Sequence, residues 1–357
     1  MEFNRYKVVR VEEETEDTKT FYYDPTSVNG EFVAGQYITV SAQINGEEVR
    51  RSYSLCTAPH EELRGFSVKR VTNGLMSNFL HDNIKEGDDL ILSNAEGRFV
   101  VNADEAKQRD HYFIAAGSGI TPVLSMVKTV LENEPLSTCY LLYGSRSENN
   151  IIFHKAFDYL MEKYQDQLIV THTLSQPIKE KKSGFSGLLG KSTIKWTGEV
   201  GRIDEPKIRV FLAEHPSKSG NNLYYLCGPG DMINKAEKYL SDNGISKDTI
   251  LKEFFAVTVD VEQKGEEGNV KIILDRKEYT VQVKERETIL DAAFREKIDA
   301  PYSCTSGACS SCMAKVVEGE VVMDVCLALE DDEVEEGYIL TCQSKLKSSS
   351  AVITYDV

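Results

Sequence analysis

Nowhere in these 357 residues do 18 apolar side chains run together, so no segment reads as a membrane-crossing helix. Basic charge is in deficit. Lys and Arg number 41 against 57 Asp and Glu, a formal net charge of −16, where a nucleic-acid binder would show a basic footprint. Histidine is scarce, and the six present fall at no metal-ligand spacing; a Rieske centre, which needs two of them as ligands, is thereby excluded. No paired carboxylates and no Ser-His-Asp arrangement stand in a context that supports hydrolysis, and there is no internal repeat or low-complexity tail. The opening MEFNRYKVVR has no apolar stretch of the kind a secretory signal carries. Eight cysteines without such a signal suit a reducing compartment, so a cytoplasmic protein with neither membrane nor nucleic-acid partner is expected.

What the chain does have is a cysteine pattern. Cys304, Cys309 and Cys312, followed by a lone Cys342, read C-x4-C-x2-C and then C, the plant-type ligand spacing of a [2Fe-2S] cluster. One loop, PYSCTSGACSSC, supplies three thiolates, and LTCQS supplies the fourth. Only Ser, Gly, Ala and Thr lie between the loop ligands, so backbone N–H groups can approach the cluster sulfurs. Zinc favours two separated C-x2-C knuckles, and a disulfide knot suits a small secreted domain, so both fit the spacing less well. Cys326 falls outside the four-ligand pattern; Cys56 and Cys139 read as core. Residues 269–357 carry 17 acidic and 10 basic side chains, a net of −7, which favours a partner with a basic docking face.

Length and texture predict three domains. Residues 1–104 show short alternating runs such as QYITVSAQI between Gly, Pro and Asn turns, an antiparallel barrel pattern. Residues 105–259 alternate buried apolar strands with helical stretches, an α/β pattern with a parallel sheet. The stretch 178–200 interrupts this rhythm with Lys, Gly and Ser, carries the only tryptophan, Trp196, and reads as a surface insertion. Residues 260–268 read as a linker into a third domain at 269–357.

Two segments suit nucleotide cofactors. In RRSYSLCTAP, strand alternation sends Arg51 and Tyr53 to one face. A tyrosine ring can cover a flavin, an arginine fork can bind pyrophosphate, and the Ser54 hydroxyl can bond the atom that receives hydride. Gly74 and Ser77 open a short helical run, where free N–H groups suit phosphate. In YFIAAGSGITPVLSMVK an apolar strand passes through a glycine turn into a helix carrying Thr121 and Pro122 in its first turn. This departs from the G-x-G-x-x-G fingerprint, so spacing alone does not identify a dinucleotide site. After the second strand, Ser145 and Arg146 stand where an acidic residue would bind ribose hydroxyls. A hydroxyl and a guanidinium suit a 2′-phosphate, so NADPH is favoured, and Arg202 can add a second positive charge.

With these motifs in this order, the chain resembles the ferredoxin-NADP reductase superfamily, in particular oxygenase reductases of the phenylacetyl-CoA epoxygenase type. Arg51-Ser52-Tyr53-Ser54 matches the family's RxYS element and Gly74-Leu75-Met76-Ser77 its second flavin motif. The resemblance implies FAD; phthalate-dioxygenase-type reductases hold FMN, and the Gly74–Ser77 segment looks unlike theirs. Gly117-Ser118-Gly119-Ile120-Thr121-Pro122 matches the nicotinamide loop, and YLCGPGDMI its second half, placing Cys227 and Gly228 near nicotinamide and flavin. Ser54 and Cys227 are then the catalytic candidates. An aromatic at Phe254 or Phe255 packs by the flavin in the family, while as plain sequence both read as core. The implied architecture is a flavin β-barrel, an α/β nicotinamide domain and an α+β β-grasp ferredoxin domain. The implied activity is transfer of electrons from NADPH through FAD and [2Fe-2S] to a partner oxygenase such as a phenylacetyl-CoA epoxygenase. General donation to a desaturase, another hydroxylase or a soluble carrier is an alternative, as is a redox-sensing module without turnover.

Overall fold

The computed structural model describes residues 2–27, 31–181, 192–255 and 263–357. Its first six strands pair only with antiparallel neighbours. They are β1 (Phe3–Thr15), β2 (Thr18–Tyr23), β3 (Tyr37–Ile44), β4 (Glu47–Ser54), β5 (Arg64–Lys69) and β6 (Asp89–Ser93), in the order β4-β3-β6-β1-β2-β5. A bridge between Leu55 and Phe66 brings the two edge strands together, so the sheet closes on a core that includes Tyr6, Val8, Phe21, Ile38, Val40 and Phe66. The β3–β4 hairpin turns at Asn45-Gly46, with φ of 55° and 87°, the left-handed pair that a two-residue hairpin needs. Helix α1 (Leu75–Asn83) lies between β5 and β6.

The next sheet is wholly parallel. Strands β7 (Asp110–Ala116), β8 (Thr138–Ser145), β9 (Leu168–Leu174), β12 (Glu199–Val200), β13 (Asn222–Gly228) and β14 (Ile250–Phe254) lie in the order β12-β9-β8-β7-β13-β14. Four helices connect them: α2 (Ile120–Asn133), α3 (His154–Lys163), α4 (Glu205–Glu214) and α5 (Gly230–Asp242). The chain steps outward from β7 to β12 and then returns to place β13 beside β7. That reversal opens a crevice at the carboxyl ends of β7 and β13, the usual ligand site of such sheets. The stretch expected as a surface insertion is more than that. A small pair, β10 (Lys179–Lys181) and β11 (Ser192–Ile194), flanks ten residues that lie outside the described ones. Glu199–Val200 then extends the main sheet beside β9, and Trp196 packs against the domain core.

The third unit has strands β15 (Gly268–Leu274), β16 (Lys277–Val283), β17 (Met313–Glu318), β19 (Tyr338–Leu340) and β21 (Ser350–Thr354) in the order β16-β15-β21-β17-β19. A side pair is formed by β18 (Val321–Met323) and β20 (Ser344–Leu346), and the helices are α6 (Ile289–Arg295) and α7 (Asp331–Glu335). Thr288 and Asp291 form a reciprocal capping box at the start of α6. Part of the expected linker, residues 260–262, lies outside the described residues. From Gln263 onward the chain is pinned to the third domain: Gln263 donates its N–H to Asp324, accepts from Lys345 Nζ at 3.1 Å, and those two side chains pair at 2.9 Å.

The domains join in two different ways. Ala34, Cys56, Phe99 and Val101 of the barrel share one apolar core with α2, β7 and β8, and Ser125 Oγ donates to the Thr57 carbonyl at 2.6 Å. The third domain adds Ala308 to the core around Phe254, with Cys304 and Leu327 packed at its margin, and is otherwise tied to the barrel and to β14 through hydrogen bonds and ion pairs. Among the described residues no helix is long and apolar enough to cross a membrane.

Candidate functional site

Strand β4 presents different side chains to two domains. In the β3–β4 register Ile38 faces Tyr53 and Val40 faces Arg51, and cross-strand partners share a face. Arg51 and Tyr53 therefore lie on the side of the ribbon that carries the barrel-core residues Ile38 and Val40. The Tyr53 ring sits 5.7 Å from that of Phe66. Arg51 donates to the Arg50 carbonyl at 2.6 Å and makes no ion pair among the described residues, so its remaining N–H groups are available to an anion. The other face carries Tyr37, Thr39, Ser52 and Ser54.

Helix α1 begins after Gly74 with no acidic residue in its first turn, which leaves its amide end attractive to phosphate. A Cβ on Gly74 would meet Ser77 Oγ at 2.6 Å. The Ser77 hydroxyl braces this turn, accepting from the Val71 amide at 3.1 Å; Leu75 is exposed and Met76 buried. What the start of the helix holds out is thus mainly backbone N–H.

The nicotinamide motifs meet at the sheet crevice. Gly117 and Gly119 follow β7, and Gly228 ends β13. A Cβ on Gly119 would lie 2.2 Å from the Cys227 carbonyl oxygen, so only glycine permits the loops this approach. Thr121 Oγ1 donates to the Ser118 carbonyl at 2.9 Å, and the Tyr143 hydroxyl to the Gly117 carbonyl at 3.1 Å; Pro122 is buried in the first turn of α2. Ser145, Arg146 and Arg202 are gathered by backbone bonds at one end of the sheet: Ser175 N–H to the Ser145 carbonyl, Gln176 N–H to that of Arg146, and Gly201 N–H to that of Leu174. Ser145 is buried, whereas Arg146 and Arg202 are exposed and form no ion pair among the described residues.

Sequence reasoning missed Glu253. Ser54 Oγ donates to Glu253 Oε2 at 3.3 Å, and Glu253 is the strand partner of Cys227. The residue is half-buried and lines a gap between the domains, and burial pushes its carboxyl up to about 8, against the Ser54 bond. Cys227 is completely buried, and burial raises its thiol well above the ordinary cysteine value. Phe254 is buried in the core shared with Ala308, while Phe255 is half-buried against the opposite core. The gap itself is lined by Tyr37, Phe99, Glu253, Phe254 and Cys309, among others.

The four expected ligands come together although Cys342 is thirty residues from Cys312. The Cys304 thiol interacts with those of Cys309 and Cys342, and the Cys312 thiol with that of Cys342, which pulls Cys304 and Cys312 down and pushes Cys309 and Cys342 up; all four are free thiols. The Ser306 amide points at Cys304 Sγ at 3.4 Å. Cys326 is half-buried, with its thiol raised by burial. Four gathered thiols fit a [2Fe-2S] cluster, and the unpaired Arg51, the Tyr53 ring and the α1 amide end fit a flavin dinucleotide.

Three family models match in series: an oxidoreductase FAD-binding domain over residues 5–101, an oxidoreductase NAD-binding domain over 113–238, and a 2Fe-2S iron-sulfur cluster binding domain over 272–347. One subunit of the 1,2-phenylacetyl-CoA epoxidase of Escherichia coli (strain K12) is 32% identical over 364 residues, 99% of this chain and 98% of that protein. The chain belongs to the ferredoxin-NADP reductase superfamily, in its branch with a C-terminal [2Fe-2S] domain. As such a reductase it is an NAD(P)H-dependent oxidoreductase that uses FAD and [2Fe-2S]. The ferredoxin reductase component of 3-ketosteroid-9-alpha-monooxygenase from Rhodococcus rhodochrous is 29% identical over 95% of this chain and 93% of its own length. Phthalate dioxygenase reductase has the same three-domain fold, with a TM-score of 0.62 at 24% identity over 99% of this chain and 98% of that one.

Proposed function

We propose that the reductase takes electrons in pairs from NADPH and delivers them singly through its cluster to a separate oxygenase of the phenylacetyl-CoA epoxidase kind. FAD and [2Fe-2S] supply the chemistry that joins a two-electron donor to a one-electron acceptor. The residues supply the rest. Arg51, Tyr53 and the α1 start hold the flavin; the Gly117–Pro122 loop and Cys227–Gly228 hold the nicotinamide end; Ser54 and Glu253 keep a hydroxyl–carboxyl pair at the meeting point. The observation that carries the reading is the gap in which Cys309 and Glu253 line the same space, which supports a short path from the hydride end to the cluster. Two exposed guanidiniums beside Ser145, neither ion-paired among the described residues, support NADPH over NADH.

The test is reconstitution. The reductase is mixed with the oxygenase component of phenylacetyl-CoA epoxidase and NADPH, and oxygen uptake that depends on phenylacetyl-CoA is followed. Uptake dependent on all three components is expected. If the oxygenase component of 3-ketosteroid-9-alpha-monooxygenase couples better, the assignment of the acceptor is wrong while the electron path stands.

A further inference from the structure

The third domain meets the flavin domain through hydroxyl groups placed with a definite pattern. Ser303, which directly precedes Cys304, is 1% exposed; its Oγ accepts from Thr39 Oγ1 at 3.0 Å and shares a hydrogen bond with Ser52 Oγ at 2.5 Å. Thr39 and Ser52 are cross-strand partners. Along the same face, the Tyr37 hydroxyl shares a bond of 3.1 Å with Ser311 Oγ, and Ser311 directly precedes Cys312. The serines that directly precede the first and the third cysteine of the loop are therefore both held by one face of the β3–β4 ribbon, and the other face carries Arg51 and Tyr53.

Charged contacts between the third domain and the rest of the chain are of another kind. Arg50 reaches Asp299 at 3.4 Å, Lys252 reaches Glu330 at 3.7 Å, and Arg98 pairs with Glu333. The Asp299 and Glu330 side chains are largely exposed, and pairs on long exposed side chains orient loosely and weaken in salt. The hydroxyl bonds are directional, and the one between Thr39 and Ser303 is buried, so they can fix position where the ion pairs cannot.

We propose that Thr39, Ser52 and Tyr37 form a hydroxyl latch that sets the position of the cluster loop, through Ser303 and Ser311, against the flavin-binding strand. These are positioning residues for the passage of electrons from reduced flavin to oxidised cluster. The ion pairs bring the domain to the face and the hydroxyls set its register there. The proposal rests on the flavin lying on the Arg51–Tyr53 side of the ribbon.

Thr39→Val keeps the side-chain shape and removes the hydroxyl, Thr39→Ser keeps the hydroxyl, and Thr39→Val/Ser52→Ala leaves Ser303 without either partner. Stopped-flow mixing of the cofactor-loaded protein with NADPH resolves reduction of the flavin from reduction of the cluster. In Thr39→Val, flavin reduction is expected to be unchanged and cluster reduction slowed by about fivefold, with more slowing in the double variant. The slowing should deepen between about 0.05 M and about 0.5 M salt, because salt weakens the ion pairs that share the docking with the contacts left in place, and Thr39→Ser should behave as the parent. Hydrogen–deuterium exchange gives a readout independent of turnover: exchange in residues 300–312 should rise in the double variant while that of α6 stays fixed. Parental cluster reduction in the double variant at both salt concentrations overturns the latch alone. Loss of flavin or of its reduction in Thr39→Val instead puts the flavin on the Thr39–Ser52 face, overturning both the latch and the flavin assignment.

Discussion

Ser54 Oγ donates a hydrogen bond of 3.3 Å to Glu253 Oε2, joining the last residue of the flavin strand to the last strand of the nicotinamide sheet. Burial pushes that carboxyl up to about 8, so it is neutral at pH 7 and gains a negative charge only in alkali. An anion there opposes the arrival of hydride and electrons at the flavin. Flavin reduction by NADPH is expected to fall as pH rises past about 8, and Glu253→Gln is expected to flatten that limb. The stability effect has the same direction. With the folded value above the ordinary carboxylate value, the favourable contribution is complete below about 4.5 and lost as pH rises towards about 8. Stopped-flow rates from pH 6 to 9.5 test the first claim, and an alkaline limb of equal depth in Glu253→Gln contradicts it.

Gly119 and Cys227 touch through their backbones, since a Cβ on Gly119 would fall 2.2 Å from the Cys227 oxygen and 2.8 Å from the Gly228 nitrogen. Backbone cannot rotate away as a side chain can. Gly119→Ala should therefore part the two nicotinamide loops at a cost of roughly 1–3 kcal/mol. The variant should keep its flavin and accept electrons from dithionite, while reduction by NADPH drops by about tenfold or more. Reduction by NADPH at the parental rate would show that the loops can separate without loss.

What was legible in the sequence was local. The three-cysteine loop runs only from Cys304 to Cys312, so its chemistry can be named before the fold is known; the glycine turn is as local, but only the resemblance to the family named its ligand. The Ser54–Glu253 bond spans 199 positions and the Thr39–Ser303 bond 264, and no periodicity announces such pairs. Glu253 reads in sequence as one charge among many; only pairing of β13 with β14 sets it beside Cys227. Ser52 is silent in sequence because the motif leaves its position open, yet alternation turns it towards the cluster loop. The edge strand at Glu199–Val200 is two residues long, too short for any alternating pattern to reveal.

Cys309 lines the gap between the domains and is one of the four gathered thiols. Cys309→Ser should remove the cluster absorbance and the iron while leaving the flavin spectrum intact, because Arg51, Tyr53 and the start of α1 belong to the barrel domain and not to the cluster domain. NADPH should still bleach the flavin, and electrons should still reach ferricyanide. Full iron content in the variant would refute the ligand assignment.

Arg146 is exposed beside the buried Ser145 and has no ion pair among the described residues. A 2′-phosphate gives it a partner, worth about 1.5–3 kcal/mol for a bond to a charged group. Arg146→Ala should raise the KM for NADPH by the corresponding factor, about 10 to 150, with kcat nearly unchanged and NADH kinetics little affected. Equal losses with both coenzymes would mean that Arg146 serves the loop and not the phosphate.

Glu134 lies fully buried beneath the parallel sheet. Burial alone would raise its carboxyl, but bonds from His111 at 3.1 Å, from Arg109 and from Ser137 at 2.7 Å outweigh it and hold the group at about 2. A folded value below the ordinary one means that the contribution is present above about 4.5 and lost as pH falls towards about 2. Removing one partner of such a buried pair costs about 3 kcal/mol or more, so Glu134→Ala should unfold at clearly lower urea at pH 7. The difference from the parent should shrink as both are acidified through that window. Cluster loss in acid would obscure absorbance, but Trp196 is the only tryptophan and packs against the core of this same domain. Its emission therefore reports the unfolding of interest. A urea midpoint in Glu134→Ala equal to that of the parent at pH 7 would show that Arg109 and His111 find water or other partners, and that the buried network adds nothing to the scaffold under the coenzyme.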